Sequence, residues 1–214
     1  GEADISPEQR FMCDSFYDTE FPTDIKPRVY YLDIETYVTD DILPKFNHNV
    51  SDINAITIYD NYSKEYYTWG LVPNYDEQDD VIEDRIRNAT KDYGKVHLFL
   101  FHKPKELLSN FIDYLYKSPP DIITAWNSKF DIPYSVRKTF DYFDVEGLKR
   151  LSPFNRVSYK VESALETNSI PNTDALIPGI DIIDLMELYK KYSDTEKSSY
   201  SLDNVAEEEI KENK

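Results

Sequence analysis

The order of its apolar segments most strongly limits how this chain can fold. Three short strand-like segments come first, over Val29 to Thr36, Ile53 to Tyr59 and Glu65 to Leu71. The second and third flank the turn-type sequence Asn61-Tyr62-Ser63, which predicts a hairpin. Helical and strand-like segments alternate in the rest of the chain. This pattern predicts an α/β fold, a mixed sheet with helices packed on its faces.

Further elements follow from local patterns. Val96 to Phe101 predicts a strand, and Pro104 opens a helix whose apolar residues repeat at helical spacing until Pro119-Pro120 stops it. The other predicted elements are a strand over Asp121 to Trp126 and helices over Pro133 to Phe143, Leu185 to Tyr192 and Leu202 to Ile210. Two segments lack a clear period. Residues 1–27 are expected to be a lead-in lying on the body of the domain, and residues 72–94 an acidic surface excursion.

Composition excludes several classes of function. A hydrophobic share of 40% supports a packed core, and no apolar run reaches the roughly 18 residues of a membrane helix. One cysteine and three histidines exclude an internal disulfide and argue against most zinc sites. No glycine-rich phosphate loop occurs among the five glycines. The net charge of −17, from 41 acidic and 24 basic residues, has the wrong sign for a passive nucleic-acid binder.

Two carboxylates in the first strand are the strongest candidates for chemistry. Asp33 and Glu35 are two residues apart, so both project from one face of the strand while Ile34 points into the core. Oxygen ligands of this kind suit Mg²⁺ or Mn²⁺. Acidic pairs with this spacing arise by chance about eight times in so acidic a chain. The position inside an apolar strand therefore carries the metal hypothesis, and a structural role stays open.

A second candidate lies where the strand ending at Trp126 meets the next helix. Ligand sites in α/β sheets lie at such strand ends, which places Asp131 in the expected crevice. The alternative for Asp131 is a helix N-cap, and both roles are compatible. Phe130 either walls the site against water, stacks on a base or belongs to the core. Asp181 and Asp184 are weaker candidates for outer ligands, with strand-end or helix-start roles as the alternative.

The motifs around these acids resemble a known family. Asp-Ile-Glu-Thr at 33–36 and Trp-Asn-Ser-Lys-Phe-Asp-Ile-Pro-Tyr at 126–134 resemble the first two exonuclease motifs of family B DNA polymerases, in the form seen in T-even-type bacteriophages. Further stretches resemble that group in the same order. They are Ile53 to Thr57, Lys105 to Leu108, Arg150 to Pro153, Asp184 to Lys191 and Ser199 to Asp203.

The resemblance implies a ribonuclease H-like 3′–5′ proofreading exonuclease that uses two Mg²⁺ or Mn²⁺ ions. Asp33 would bridge both ions, Glu35 would hold one and orient the attacking water, and Asp131 would serve from the second motif. The residues implied in substrate binding are Thr36, Asn127 and Phe130. The family commonly has three residues between Asn and Phe-Asp, whereas here there are two, which makes the placement of Asn127 less secure than that of Asp131.

The resemblance also carries expectations about organisation. Residues 1–27 would come from a preceding N-terminal domain and residues 28–214 would be the exonuclease domain. The stretch from Arg156 to Gly179 would form a β-hairpin excursion. The family's third motif, Tyr-x-x-x-Asp, lies downstream of the Ser-Tyr-Ser-Leu stretch, and none of the tyrosines near the end of this chain, Tyr189, Tyr192 and Tyr200, is followed by Asp four residues later. The chain is therefore expected to be a fragment of a polymerase with weak or no activity by itself.

Expected partners are the single-stranded 3′ end of a DNA primer, the remaining polymerase domains and a sliding clamp, in the host-cell cytoplasm and without a membrane. Two alternatives stay open. One is a non-catalytic scaffold with the same fold, and the other is a free-standing DNA or RNA exonuclease. Basic residues cluster between residues 129 and 160, where they either meet phosphates or form a solvated charged face.

Overall fold

The computed structural model of the chain describes residues 6–20, 24, 26–37, 51–72, 79–169, 176–193 and 197–210. Over these residues the chain is an α/β protein. The strands are β1 (Val29–Thr36), β2 (Ile53–Asp60), β3 (Glu65–Leu71), β4 (Val96–Phe101), β5 (Ile122–Ala125) and β6 (Asp181–Asp184). The helices are α1 (Pro7–Phe16), α2 (Asp79–Thr90), α3 (Pro104–Lys117), α4 (Ser128–Leu151), α5 (Tyr159–Thr167), α6 (Leu185–Tyr192) and α7 (Leu202–Glu209). None of the described helices has the length and apolar character needed to cross a membrane.

The strands form one mixed sheet in the order β4-β3-β2-β1-β5-β6. The first three strands pair antiparallel, and β4, β5 and β6 each join in parallel. This arrangement confirms the predicted mixed α/β sheet and is consistent with a ribonuclease H-like exonuclease fold. Since β1 and β5 run in the same direction, their carboxyl ends meet the start of α4 at one edge of the sheet.

One face of the sheet packs against α3 and α4 and forms the core. Tyr30, Leu32 and Ile34 alternate along β1 toward this face, and each is buried. Trp69 is fully buried, and its indole N–H donates to Asn110 Oδ1 at 2.8 Å. The predicted apolar face of α3 is confirmed. Its buried residues are Leu107, Leu108, Phe111, Ile112 and Leu115.

Residues 7–16 form a helix where no periodic element is predicted. Ser6 and Gln9 make a capping box, and Pro7 occupies the first turn, so local end signals suffice to start α1. The described side chains of residues 6–20 are exposed, so none of them is buried against the body of the domain. Within the acidic excursion, α2 is a surface helix whose described side chains are exposed or half-buried.

The predicted β-hairpin between Arg156 and Gly179 is wrong for the described residues, because α5 lies there. Ser158 caps its start, and Asn168 ends it in the left-handed conformation. Val161 and Ala164, three residues apart, are the buried residues of α5, as a helix with one packed face requires. Residues 170–175 of the predicted hairpin lie outside the described residues.

A buried ion pair lies at the amino end of β1, the end away from Asp33 and Glu35. Arg28 Nη2 lies 2.7 Å from Asp60 Oδ2, with the Asp60 side chain fully buried and that of Arg28 23% exposed. Arg28 also donates from its backbone N–H to Asp121 Oδ2 at 2.6 Å and from Nη1 to Ser118 Oγ at 2.5 Å. This Arg28–Asp60 clamp joins the end of β2 to the segment between α3 and β5.

The clamp gives stability a defined pH dependence. Burial alone would raise the pKa of Asp60, but hydrogen bonds from Arg28, the Tyr62 N–H and Ser63 together hold it below its ordinary value of 3.8. A carboxyl whose pKa falls on folding stabilises the fold above the unfolded-state pKa and loses that contribution as the pH falls through the folded-state pKa. We therefore expect the stability difference between wild type and Asp60→Asn to be constant near neutral pH and to shrink below 3.8. Urea titrations at pH values from about 7 to about 3 measure it, and a difference that grows toward acid contradicts the assignment.

Candidate functional site

The helix α4 starts directly after β5 and brings Asp131 to the carboxyl edge of the sheet. It begins at Ser128, five residues before the predicted start, and is kinked at Asp144, just beyond the predicted end at Phe143. Pro133 lies inside the helix. A proline near a helix start removes one backbone hydrogen bond, and the burial of this first segment outweighs that loss.

Asp131 is a buried residue of the first helical turn and not the N-cap. The N-cap position belongs to Asn127, whose side chain makes no capping hydrogen bond, so the N-cap alternative for Asp131 is wrong. Asp131 Oδ1 accepts a hydrogen bond from the backbone N–H of Ile34 at 3.4 Å. Strand β5 pairs with β1 only as far as Tyr31, so the carboxylate reaches the β1 backbone beyond the last β5 partner.

Asp33 and Glu35 project from the same face of β1, as the strand period predicts. Both are exposed, and the intervening Ile34 is buried in the core. The register against β2 shifts between Glu35 and Thr36, so the ladder is irregular immediately after the second carboxylate. Asp131 thus contacts the backbone of the residue that separates the two strand carboxylates.

The donor chemistry of these residues fits a hard divalent cation, since all three offer carboxylate oxygens. The positions of the three carboxylates, however, do not form a complete set of ligands around one ion. Within the described parts of the chain, no group of three or more His, Cys, Asp or Glu side chains is placed to hold one metal ion. Asp33, Glu35 and Asp131 therefore share one region of the fold without forming a closed metal site.

The three predicted substrate-binding residues lie at the end of β1, between β5 and α4, and in the first turn of α4. Thr36 ends β1 and is half-buried, and Asn127 is exposed at the junction of β5 and α4. Phe130 is half-buried, and its ring stacks on that of Tyr134 with centroids 5.4 Å apart and an interplanar angle of 24°. Phe130 therefore packs on the core with one side of its ring.

Asp184 caps helix α6 and links it to helix α4. Its Oδ1 accepts from the Glu187 N–H at 2.9 Å, which caps α6, and its Oδ2 accepts from Ser128 Oγ at 3.1 Å. The helix-start role is confirmed for Asp184, and its contact with Ser128 ties α6 to the first residue of α4. Asp181 lies at the opposite end of β6, opposite Ile122, far along the sheet from Asp131.

A cavity of about 490 Å³ lies on the open face of the sheet beside Asp33. Its lining is mostly apolar. It includes Tyr31, Tyr59, Tyr66, Trp126, Leu185 and Leu202. The Trp126 indole N–H donates to the Tyr200 carbonyl oxygen at 3.0 Å, which holds the segment before α7 against the end of β5.

Carboxylates neutralise most of the basic stretch between residues 129 and 160. Five of its basic side chains make ion pairs, which are Lys129–Glu187, Arg137–Asp141, Lys138–Asp52, Lys149–Glu146 and Arg150–Asp113. These pairs favour a charge-balanced surface over a continuous phosphate-binding one.

Sequence patterns did not reveal the polar contacts between α4 and the residues before β2. Tyr134, Lys138 and Tyr142 contact Ser51 or Asp52, across more than 80 residues of chain. One signal was present. Asp131, Tyr134, Lys138 and Tyr142 are spaced three and four residues apart, which places them on one helix face.

The chain is similar to known proteins over most of its length. The family model for the exonuclease domain of family B DNA polymerases matches residues 8–205. The chain is 32% identical over 197 residues to the DNA-directed DNA polymerase of Escherichia phage RB69, covering 86% of this chain and 21% of that protein. It is 30% identical over 201 residues to that of Enterobacteria phage T4, covering 87% of this chain and 22% of that protein. The chain spans about a fifth of the length of these curated relatives.

Proposed function

Since the chain belongs to the exonuclease-domain family of the family B DNA polymerases, we propose that it hydrolyses the terminal phosphodiester at the 3′ end of a DNA primer. The observation that carries this proposal is the hydrogen bond between Asp131 and the backbone of β1, made between the exposed carboxylates Asp33 and Glu35. Two of these carboxylates share one face of β1, and the third bonds to the backbone between them. Curated relatives that are DNA-directed DNA polymerases support DNA as the substrate.

Asp33, Glu35 and Asp131 would hold two Mg²⁺ or Mn²⁺ ions. The chemistry that such ions supply when bound is activation of the attacking water and stabilisation of the departing 3′-oxygen. The residues of the chain orient these groups. The bond from the Ile34 N–H restrains the Asp131 carboxylate, while the Asp33 and Glu35 carboxylates are exposed on the face of β1 opposite the core and are accessible to a DNA strand.

Phe130, Asn127 and Thr36 would bind the terminal nucleotides. The Phe130 ring is supported from behind by Tyr134, so its other side is suited to an apolar contact with a base. Asn127 is exposed with both amide donor and acceptor groups, and Thr36 adds a hydroxyl at the end of β1. These contacts are few, which agrees with the net charge of −17.

We place the exonuclease domain at residues 28–214 and residues 1–27 in a neighbouring domain of a larger polymerase. The exposed side chains of the described residues 6–20 support that division, whereas the match to the exonuclease-domain family model begins at residue 8. The other polymerase domains, and a sliding clamp, would be partners in the cytoplasm of a phage-infected cell, in keeping with the phage relatives.

A single-turnover assay tests the function. Excess protein is mixed with a single-stranded oligodeoxynucleotide carrying a 5′ fluorophore, with Mg²⁺, Mn²⁺ or EDTA. We expect the labelled strand to shorten stepwise from its 3′ end in the presence of metal only. The rate should be low, because no three acids among the described residues converge on one ion.

A circular single strand without a 3′ end is the matched control and should stay intact. Absence of any metal-dependent shortening with excess protein would contradict the proposal and favour a non-catalytic scaffold. Cleavage of the circle would instead indicate an endonuclease.

A further inference from the structure

We propose that Tyr134 and Lys138 are positioning residues, which set Asp131 and Phe130 relative to the end of β1. The inference rests on the proposed function and concerns residues to which the resemblance assigns no role. We call the group Tyr134, Lys138 and Tyr142 of α4, with Ser51 and Asp52 before β2, the α4–β2 clasp.

The clasp starts from one face of α4. Tyr134, Lys138 and Tyr142 follow Asp131 at intervals of three, four and four residues, so all four side chains lie on one side of the helix. Tyr134 is fully buried and Lys138 is 7% exposed. A lysine is rarely buried to this extent unless a partner accepts its charge. The buried Lys138 on this face of α4 therefore requires a polar partner from another part of the chain.

That partner is the segment immediately before β2. The Tyr134 hydroxyl donates to the Ser51 carbonyl oxygen at 2.5 Å, and the Tyr142 hydroxyl donates to Asp52 Oδ1 at 2.6 Å. Lys138 Nζ lies 3.5 Å from the same Asp52 oxygen. Burial raises the pKa of Tyr134 to about 12, so its hydroxyl stays a donor at neutral pH. Three side chains of α4 thus grip two consecutive residues.

The α4–β2 clasp lies next to the candidate site, as the register between β1 and β2 shows. Ile53, the first residue of β2, lies opposite Thr36, and Ala55 lies opposite Glu35. Ser51 and Asp52 come just before this pair, at the irregular part of the ladder. The helix consequently contacts β1 directly through Asp131 and indirectly through β2 and the clasp. Loss of the clasp would leave the Asp131–Ile34 bond to β1 and the Ser128–Asp184 bond to β6 to hold α4 at this end of the sheet.

Phe130 depends on the same residue. Its ring stacks on Tyr134, whose orientation is held at the other end by the bond to Ser51. Tyr134 therefore connects the proposed base contact to the start of β2. Removal of its hydroxyl retains the ring and the stack but frees the far end of the side chain.

The variant Tyr134→Phe tests the clasp, with Tyr30→Phe as the matched control. Tyr30 is also fully buried and donates to a backbone carbonyl, that of Ser118 at 2.8 Å, but at the opposite end of β1. The first readout is amide hydrogen exchange at Ile34, whose N–H donates to Asp131. We expect exchange to be about five- to tenfold faster in Tyr134→Phe than in Tyr30→Phe, since local opening should follow loss of a nearby buried hydrogen bond.

The second readout is the 3′-end hydrolysis. Tyr134→Phe should raise KM for the oligonucleotide several-fold more than Tyr30→Phe at equal thermal stability. The contact between Lys138 and Asp52 is tested separately. Lys138→Met should make Ile34 exchange as fast as in Tyr134→Phe. Lys138→Arg, which keeps the charge opposite Asp52, should restore much of the protection of the Ile34 amide from exchange.

The two readouts separate the inference from the proposed function. If the chain shows no hydrolysis but Ile34 exchange responds to Tyr134→Phe alone, the clasp stands and the proposed function fails. If Ile34 exchange changes equally in Tyr134→Phe and Tyr30→Phe, the effect is ordinary loss of stability and the positioning role is overturned, whatever the hydrolysis assay shows.

Discussion

Replacement of Asp33 by Asn should reduce metal-dependent shortening of a single-stranded 3′ end by more than about 100-fold. Loss of residues that merely orient metal ligands reduces affinity or activity by roughly 10- to 100-fold, so loss of a ligand should exceed that range. The amide keeps the size of the side chain and removes the negative charge. Because Asp33 is exposed on its strand, the substitution should leave the fold intact. Single-turnover rates with Mn²⁺ and a thermal melt of each variant provide the measurement.

Asp181→Asn is the matched control for this substitution. Asp181 is an exposed acid on a strand of the same sheet, but it begins β6 and lies at the end away from Asp131. The rate should not change. If Asp33→Asn retained the wild-type rate, or if Asp181→Asn lost as much, the candidate site would be assigned to the wrong residues.

Among the substitutions proposed, Arg28→Ala should lower the free energy of unfolding the most, by about 3 kcal/mol. It would leave the fully buried Asp60 carboxylate without its cationic partner and would also remove the donor to Ser118. For a chain of this length, such a loss lowers the melting midpoint by roughly 10 °C. Urea unfolding followed by tryptophan fluorescence measures the free energy.

Two further variants separate charge burial from general surface effects. Lys103→Ala removes an exposed pair between the N-cap residue of α3 and Glu106 in its first turn, and should leave the midpoint unchanged because solvent screens such pairs. The double variant Arg28→Ala with Asp60→Asn should be more stable than Arg28→Ala alone, since the unpaired charge is then gone. A double variant that is no more stable would show that the pair matters for packing and not for charge.

Local patterns predicted the elements that position the site. The alternation of Leu32, Asp33, Ile34 and Glu35 was sufficient to assign each side chain to the core or to solvent, because a strand has a fixed period of two. The strand end at Trp126 likewise placed Asp131 at the correct edge. Its hydrogen bond to Ile34 was not predictable, since it depends on where β5 stops pairing with β1.

Predictions were wrong in two situations. In one, the family resemblance was followed in place of local helix signals, and in the other a long-range contact determined the position of a side chain. Ser158 and Asn168 carry the start and stop signals of α5, yet the resemblance suggested a β-hairpin there. Lys138 was grouped with residues facing phosphates or solvent, whereas it is buried against Asp52, 86 residues earlier in the chain. No periodicity in sequence encodes a pairing over that separation.

The positions of its two tryptophans give the chain two separate optical reporters. Trp69 is fully buried among Phe99, Phe111 and Tyr114, so its emission follows the integrity of the core. Trp126 lines the cavity beside Asp33 and directly precedes Asn127. With Trp69 replaced by Phe, the remaining emission would report titration of metal or DNA at the carboxyl edge without an attached dye.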